Sequence, residues 1–294
     1  MDRRDFSRLL AGAALGTAAL PATQSLAAQS GAKVSFRFSV MLWTVYRKLR
    51  FEQRVEKVAE AGYHAIELVD EYKDWSPDDF RRSFAKLRAL DIKVDAMAGV
   101  WTGLANPEAH GKFLADLTNL APVAEQLECP AIIVLSGDRV QGLSTDAHHH
   151  SCVDGLKRAA EIAEKQDLTL LLENIDPEEN PKYYLTSVAE GLEIIREVNH
   201  PRVRFLYDFY HEQISEGNLI EKMEKNIDQI GLFHIADVPG RHEPGTGEIN
   251  YASIYRKLAQ LNYRGYVAME FQPTGDPAAS LRVAREQAIK AVEM

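Results

Sequence analysis

Residues 131–173 read AIIVLSGDRVQGLSTDAHHHSCVDGLKRAAEIAEKQDLTLLLE. The run Ala131 to Leu135 is apolar and of strand length, and Thr169 to Glu173 repeats that pattern. Between them, from Ser144 to Gln166, apolar residues recur at three- and four-residue spacing, the period of a helix with one buried face. Strand, helix and strand in this order form a βα unit of a parallel sheet.

The same alternation extends in both directions. Upstream strand-like runs lie at Phe36 to Met41, His64 to Val69 and Lys93 to Met97; downstream ones lie at Arg204 to Tyr207, Gly231 to Ile235 and Tyr266 to Phe271. Amphipathic stretches separate them at Phe51 to Ala61, Asp78 to Leu90, Glu108 to Leu127, Ser187 to Val198 and Ile249 to Leu261. Eight strands alternating with helices predict an α/β fold, a closed (β/α)8 TIM barrel in one domain, and the chain of 294 residues has the length for it. No Gly-rich phosphate loop follows the first strand, which argues against an open dinucleotide-binding sheet.

The first 32 residues read differently from the rest. Arg3-Arg4 and Phe6 precede an apolar run from Leu9 to Leu20, and small residues follow around Ser25-Leu26-Ala27-Ala28. That is an export signal of twin-arginine type, with cleavage expected near Ala27 or Ala28 and export machinery as a partner. The apolar run is shorter than the roughly 20 residues needed to span a bilayer. The expected organisation is therefore a signal at 1–28, a linker at 29–35 and a barrel at 36–294, with a periplasmic location. Removing the signal shifts the formal charge from −9 to about −10. An acidic chain is a poor match for nucleic acid, whose phosphates call for a basic stripe. Cys129 and Cys152 allow one bridge, but their places before a strand and inside a helix favour free thiols.

Four residues stand at the ends of separate strands: Glu173, Asp208, His234 and Glu270. Barrel active sites gather at the carboxyl ends of strands, so three carboxylates and an imidazole converge there. Alone, each acid reads as a helix cap or salt-bridge partner. Together, they repel unless a cation neutralises them. Mixed oxygen and nitrogen ligands suit a divalent metal ion, Mn2+, Mg2+, Co2+ or Zn2+, and alone do not separate these.

Three segments carry a resemblance: Leu172-Glu173-Asn174-Ile175, Tyr207-Asp208-Phe209-Tyr210-His211, and the loop from His234 through Pro239-Gly240-Arg241-His242-Glu243-Pro244-Gly245-Thr246-Gly247 to Tyr251. With the Glu270-Phe271-Gln272-Pro273 end, they resemble the hydroxypyruvate isomerase branch of the xylose-isomerase-like barrel superfamily. The resemblance implies that Glu173, Asp208, His234 and Glu270 hold a metal and that Glu173 and Glu270 also exchange the proton. It further implies that His211 and Arg241 face the substrate and that Glu179 either faces it or supports the residues that do. His234 stands where hydroxypyruvate isomerases often carry glutamine and where sugar epimerases carry histidine, so the substrate stays open at this point.

The expected reaction is a proton transfer between adjacent carbons of a small hydroxycarbonyl compound through an enediolate, by a metal-dependent isomerase. An exported ketose or keto-glycoside 3-epimerase is the rival within that class, and a metal-containing sugar-binding protein without turnover is the rival outside it. A metal-dependent abasic-site endonuclease shares the barrel but calls for more histidines and a basic face. Trp43 and Trp101, after the first and third strands, are candidates for an apolar wall over the substrate. Gly245-Thr246-Gly247 reads as a turn before a helix. Consecutive histidines on a helix point about 100° apart, so His148-His149-His150 reads as a solvated helix start and not as a metal site. A homo-oligomer is compatible with the sequence.

Overall fold

The computed structural model describes residues 34–294, and the expected signal at 1–28 lies outside them. Eight parallel strands close into a barrel in sequence order. They are β1 (Arg37–Met41), β2 (Ala65–Leu68), β3 (Lys93–Val100), β4 (Ala131–Leu135), β5 (Thr169–Glu173), β6 (Val203–Asp208), β7 (Ile230–Ile235) and β8 (Tyr266–Met269). β1 pairs with β8 in the register Arg37 to Tyr266 and Val40 to Met269, which removes both sheet edges.

Outside lie α1 (Phe51–Glu60), α2 (Pro77–Ala89), α3 (His110–Gln126), α4 (Thr145–Lys165), α5 (Val188–Val198), α6 (Phe209–Ser215), α7 (Leu219–Asn226), α8 (Tyr251–Gln260) and α9 (Pro277–Glu293). Local chemistry sets several starts. Ser76 and Asp79 form a capping box around Pro77 at the head of α2, and Ser144 and Asp276 cap α4 and α9. The sequence reading placed six of these helices. It did not foresee α6, α7 or α9. Among the described residues, no helix is long and apolar enough to cross a membrane.

Strand alternation sorts the core into two shells. Outward residues such as Val40, Ile66, Val134, Leu172, Phe205 and Phe233 pack against the helices. Inward residues Met41, Ala98, Ile133, Leu171, Leu206, Leu232 and Ala268 fill the barrel. Since Leu171, Leu206 and Leu232 point inward, Glu173, Asp208 and His234, each two residues later, also point inward at the carboxyl end. Cys129 and Cys152 are both buried free thiols, as the sequence suggested.

The histidine triplet needs a correction. α4 does start there, capped by Ser144. His148, however, is buried rather than solvated: it stacks on Tyr184 at 5.1 Å, and its Nε2 accepts from the Val140 amide at 2.8 Å. His149 lies between Glu190 and Glu197, and only the third ring faces solvent. The three do not converge.

Candidate metal centre

Glu173, Asp208, His234 and Glu270 converge at the carboxyl end of the barrel, each offering one ligand atom within 4.8 Å of the others. All four are buried. His234 Nδ1 lies 2.8 Å from Glu270 Oε2, 3.3 Å from Glu173 Oε1 and 3.9 Å from Asp208 Oδ2. Despite the 2.8 Å approach, neither His234 Nδ1 nor Glu270 Oε2 has a hydrogen-bond partner. Buried polar atoms left unpaired are costly, and two of them aimed at one point fit a shared cation. Oxygen and nitrogen donors in this mixture suit a divalent ion, without selecting one.

Asp208 combines both roles weighed for it from sequence. Its Oδ1 caps α6 by accepting from the Tyr210 and His211 amides, while Oδ2 faces the centre. The cap fixes the carboxylate's rotation. It also sets His211 one turn into α6, with Nε2 3.5 Å from Asp208 Oδ2.

Behind His211 sits a residue the sequence reading missed. Asp176, fully buried, takes His211 Nδ1 at 2.6 Å through Oδ2. Its other oxygen accepts from the Glu178 and Glu179 amides at 2.9 Å. Asp176, Glu179 and His211 are close enough to suggest a second ion. The direct hydrogen bonds already occupy Asp176 and one ring nitrogen, so this cluster is an Asp–His pair that aims Nε2 at the centre.

Arg241 covers the mouth. Gly240 and Arg241 both take left-handed backbone, with φ of 94° and 55°, a conformation that costs a non-glycine residue roughly 1–2 kcal/mol. There the loop doubles back, with the Asp237 amide on the His242 carbonyl at 2.8 Å. The guanidinium reaches Glu270 Oε1 at 2.7 Å and Glu179 Oε2 at 3.1 Å, and lies over the rings of Tyr210 and Trp43. Tyr210 donates to the other oxygen of Glu179 at 2.8 Å, and Trp43 Nε1 donates to Glu270 Oε1 at 3.1 Å. Asp237 organises the rest of this loop, accepting from the amides of Val238, Gly245, Gly247 and Ile249. The glycines thus serve the turn, as read from sequence. At Gly247 the need is steric, because a Cβ would sit 1.9 Å from the Val238 carbonyl oxygen.

Electrostatics separates the two glutamates. Burial raises Glu173 above the usual carboxylate range, His234 partly offsets this, and the charges of Glu270 and Asp208 add to it. Burial acts on Glu270 in the same direction, but Arg241 and then His234 outweigh it and hold that carboxyl well below the range. For His234, burial disfavours the charged ring, yet Glu67 and Glu270 lift it well above its ordinary value. Burial also opposes charge on His211, and Asp208 and Asp176 reverse the balance.

The structure therefore brings together Glu173, Asp208, His234 and Glu270, with Trp43, Glu179, His211 and Arg241 around them. Trp101 is the exception. It follows β3 but stands 60% exposed, with no aromatic or hydrogen-bonding contact to the centre among the described residues. Nothing in that loop presses the indole inward. Asp176 and Tyr210 were missed because their partners, His211 and Glu179, lie 35 and 31 residues away, and Asp237 because its amide bonds form only once its own loop folds back; the acid spacing after Glu173 was the one available signal.

The model of the xylose isomerase-like TIM barrel family matches residues 55–290. The hydroxypyruvate isomerase of Escherichia coli (strain K12) is 32% identical over 251 residues, covering 84% of this chain and 97% of that protein. A 2-oxo-tetronate isomerase of Pectobacterium atrosepticum is 29% identical over 243 residues, covering 81% and 93%. Among solved structures, a protein from Brucella melitensis described as AP endonuclease, family 2, superimposes with a TM-score of 0.78 at 26% identity, covering 85% of this chain and 98% of that one.

Proposed function

The chain belongs to the xylose isomerase-like TIM barrel family, in its hydroxypyruvate isomerase-like branch, and from that premise we propose that it is a metal-dependent isomerase of small hydroxycarbonyl acids. The observation that carries this reading is the meeting of four buried ligand atoms within 4.8 Å, two of them unpaired.

Glu173, Asp208, His234 and Glu270 would hold the divalent ion, which would supply electrostatic stabilisation to negative charge developing on the substrate's oxygens. Glu173 and Glu270 are the proton carriers. One carboxylate takes the hydrogen from the carbon beside the carbonyl, and the other returns a proton to the neighbouring carbon. Arg241 lies on Glu270 and holds it ionised, whereas Glu173 has only the imidazole to offset its burial. His211, aimed by Asp176, gives a proton to the carbonyl oxygen and recovers one from the neighbouring hydroxyl as that becomes the new carbonyl. Arg241 binds the substrate's carboxylate with its planar fork, supported by the faces of Trp43 and Tyr210. The twin-arginine-type signal carries the protein to the periplasm.

The test is isotopic. The metal-loaded protein is incubated in D2O with hydroxypyruvate, a four-carbon 2-oxo acid, neutral ketoses and 3-keto sugars, and each is examined for deuterium beside the carbonyl. Incorporation into the acids supports the proposal; incorporation into neutral sugars alone assigns the site to a 3-epimerase, and incorporation into none, with metal bound, to a binding protein. Cell fractionation of the intact chain against an Arg3→Lys, Arg4→Lys variant tests export.

A further inference from the structure

The inner wall of this barrel is not uniform. On one side it is apolar, with Ile133, Leu171, Leu206 and Leu232. Toward β1, β2 and β3 it carries Ser39, Glu67 and Asp95, all buried, in the layer beneath the metal centre. Barrel interiors are ordinarily packed with branched apolar side chains, and each carboxyl group buried there costs several kcal/mol without full partners. Glu67 Oε1 and Asp95 Oδ2 have no partner at all. Packing alone does not account for acids in this position.

Glu67 makes one contact that explains its place. Its Oε2 lies 3.0 Å from Nε2 of His234, the ring nitrogen that faces away from the centre. The other nitrogen, Nδ1, faces Glu173, Asp208 and Glu270. A carboxylate only accepts, so a hydrogen bond at 3.0 Å puts the proton on Nε2. In a neutral imidazole the lone pair is then on Nδ1, where a cation needs it. Asp95 backs Glu67 from the next strand and is itself tied to β1 by the Ser39 hydroxyl.

We propose that Glu67 is a positioning residue of the metal centre: it holds the Nε2 proton of His234 and so presents Nδ1 as the ligand, with Asp95 and Ser39 as its buttress. This rests on the reading of the four-residue cluster as a metal site, and the experiment separates the two. Mn2+ binding is measured by titration calorimetry on the wild type, Glu67→Leu and Glu67→Gln. A wild type that binds no Mn2+ overturns the metal site itself, and this inference with it.

With wild-type binding in place, Glu67→Leu is expected to raise the Mn2+ Kd about 10- to 100-fold. Glu67→Gln, whose amide oxygen accepts the same proton, is expected to stay within about threefold of wild type, a scale set by retention of one neutral hydrogen bond. A Glu67→Leu protein of unchanged circular dichroism and unchanged Kd overturns the proposal, as does a glutamine variant as weak as the leucine one. Should Glu67→Leu fail to fold, nitrogen-15 NMR of the histidine-labelled, Zn2+-loaded wild type decides. A proton on Nε2 of His234 with Nδ1 unprotonated supports the assignment, and the reverse tautomer overturns it.

Discussion

Asp176 and His211 meet through a 2.6 Å hydrogen bond between Oδ2 and Nδ1, both side chains buried, at the rim of the cluster. The bond crosses from the β5–α5 loop to α6 and fixes which nitrogen of His211 faces the centre. Asp176→Asn is expected to lower turnover at least about tenfold, within the range for a positioned acid or base, while metal affinity stays near wild type. Steady-state kinetics and metal titration on the same preparation check this.

Glu270 is placed both as a ligand and as one of the two proton carriers. Glu270→Gln is expected to abolish deuterium exchange into every substrate and to weaken metal binding. Turnover within about tenfold of wild type under saturating metal, too small a change for loss of a general base, removes it from the proton-carrying pair.

Arg241 discriminates acids from sugars. A charge-assisted hydrogen bond is worth about 1.5–3 kcal/mol, so Arg241→Ala should raise KM for a 2-oxo acid roughly 10- to 100-fold and leave the KM of a neutral ketose almost unchanged, while kcat falls on both because Glu270 loses its partner. Equal rises in KM on both substrate types refute the assignment of a carboxylate to this residue.

Glu212 gives a pH signature away from the cluster. Burial lifts its carboxyl to about 7, with Lys222 lowering it only in part. Because the folded value lies above the unfolded one, its stabilising share is complete below about pH 4.5 and is lost as pH rises through about 7. Thermal melts should therefore show Glu212→Gln gaining stability relative to wild type as pH rises from 5 to 8, by at most about 3 kcal/mol. A constant difference across that window contradicts the assignment.

Gly247→Ala should cost a few kcal/mol, about the penalty for overpacking, because the new methyl collides with the Val238 carbonyl and with Asp237. Thermal melts and KM together test whether the mouth loop yields or the substrate site does.

The strands were readable because a parallel sheet covered on both faces produces apolar runs, and the four cluster residues because each ends such a run. α6 and α7 were not, since they have only seven and eight residues, and Gly217 and Asn218 interrupt any period between them. His148 looked solvated because its stacking on Tyr184 and its bond to the Val140 amide arise only when distant loops fold over α4. Asp176 was hidden for the same reason: 35 residues separate it from His211. Trp101 shows the converse, a large aromatic at a strand end with nothing packed over it to turn it inward.

Cys129 and Cys152 sit sealed in the interior with their thiols pushed far up in pKa by burial. A thiol that stays protonated and out of reach offers no nucleophile to an oxidant. The barrel thus holds no crosslink to make or break as its redox surroundings change.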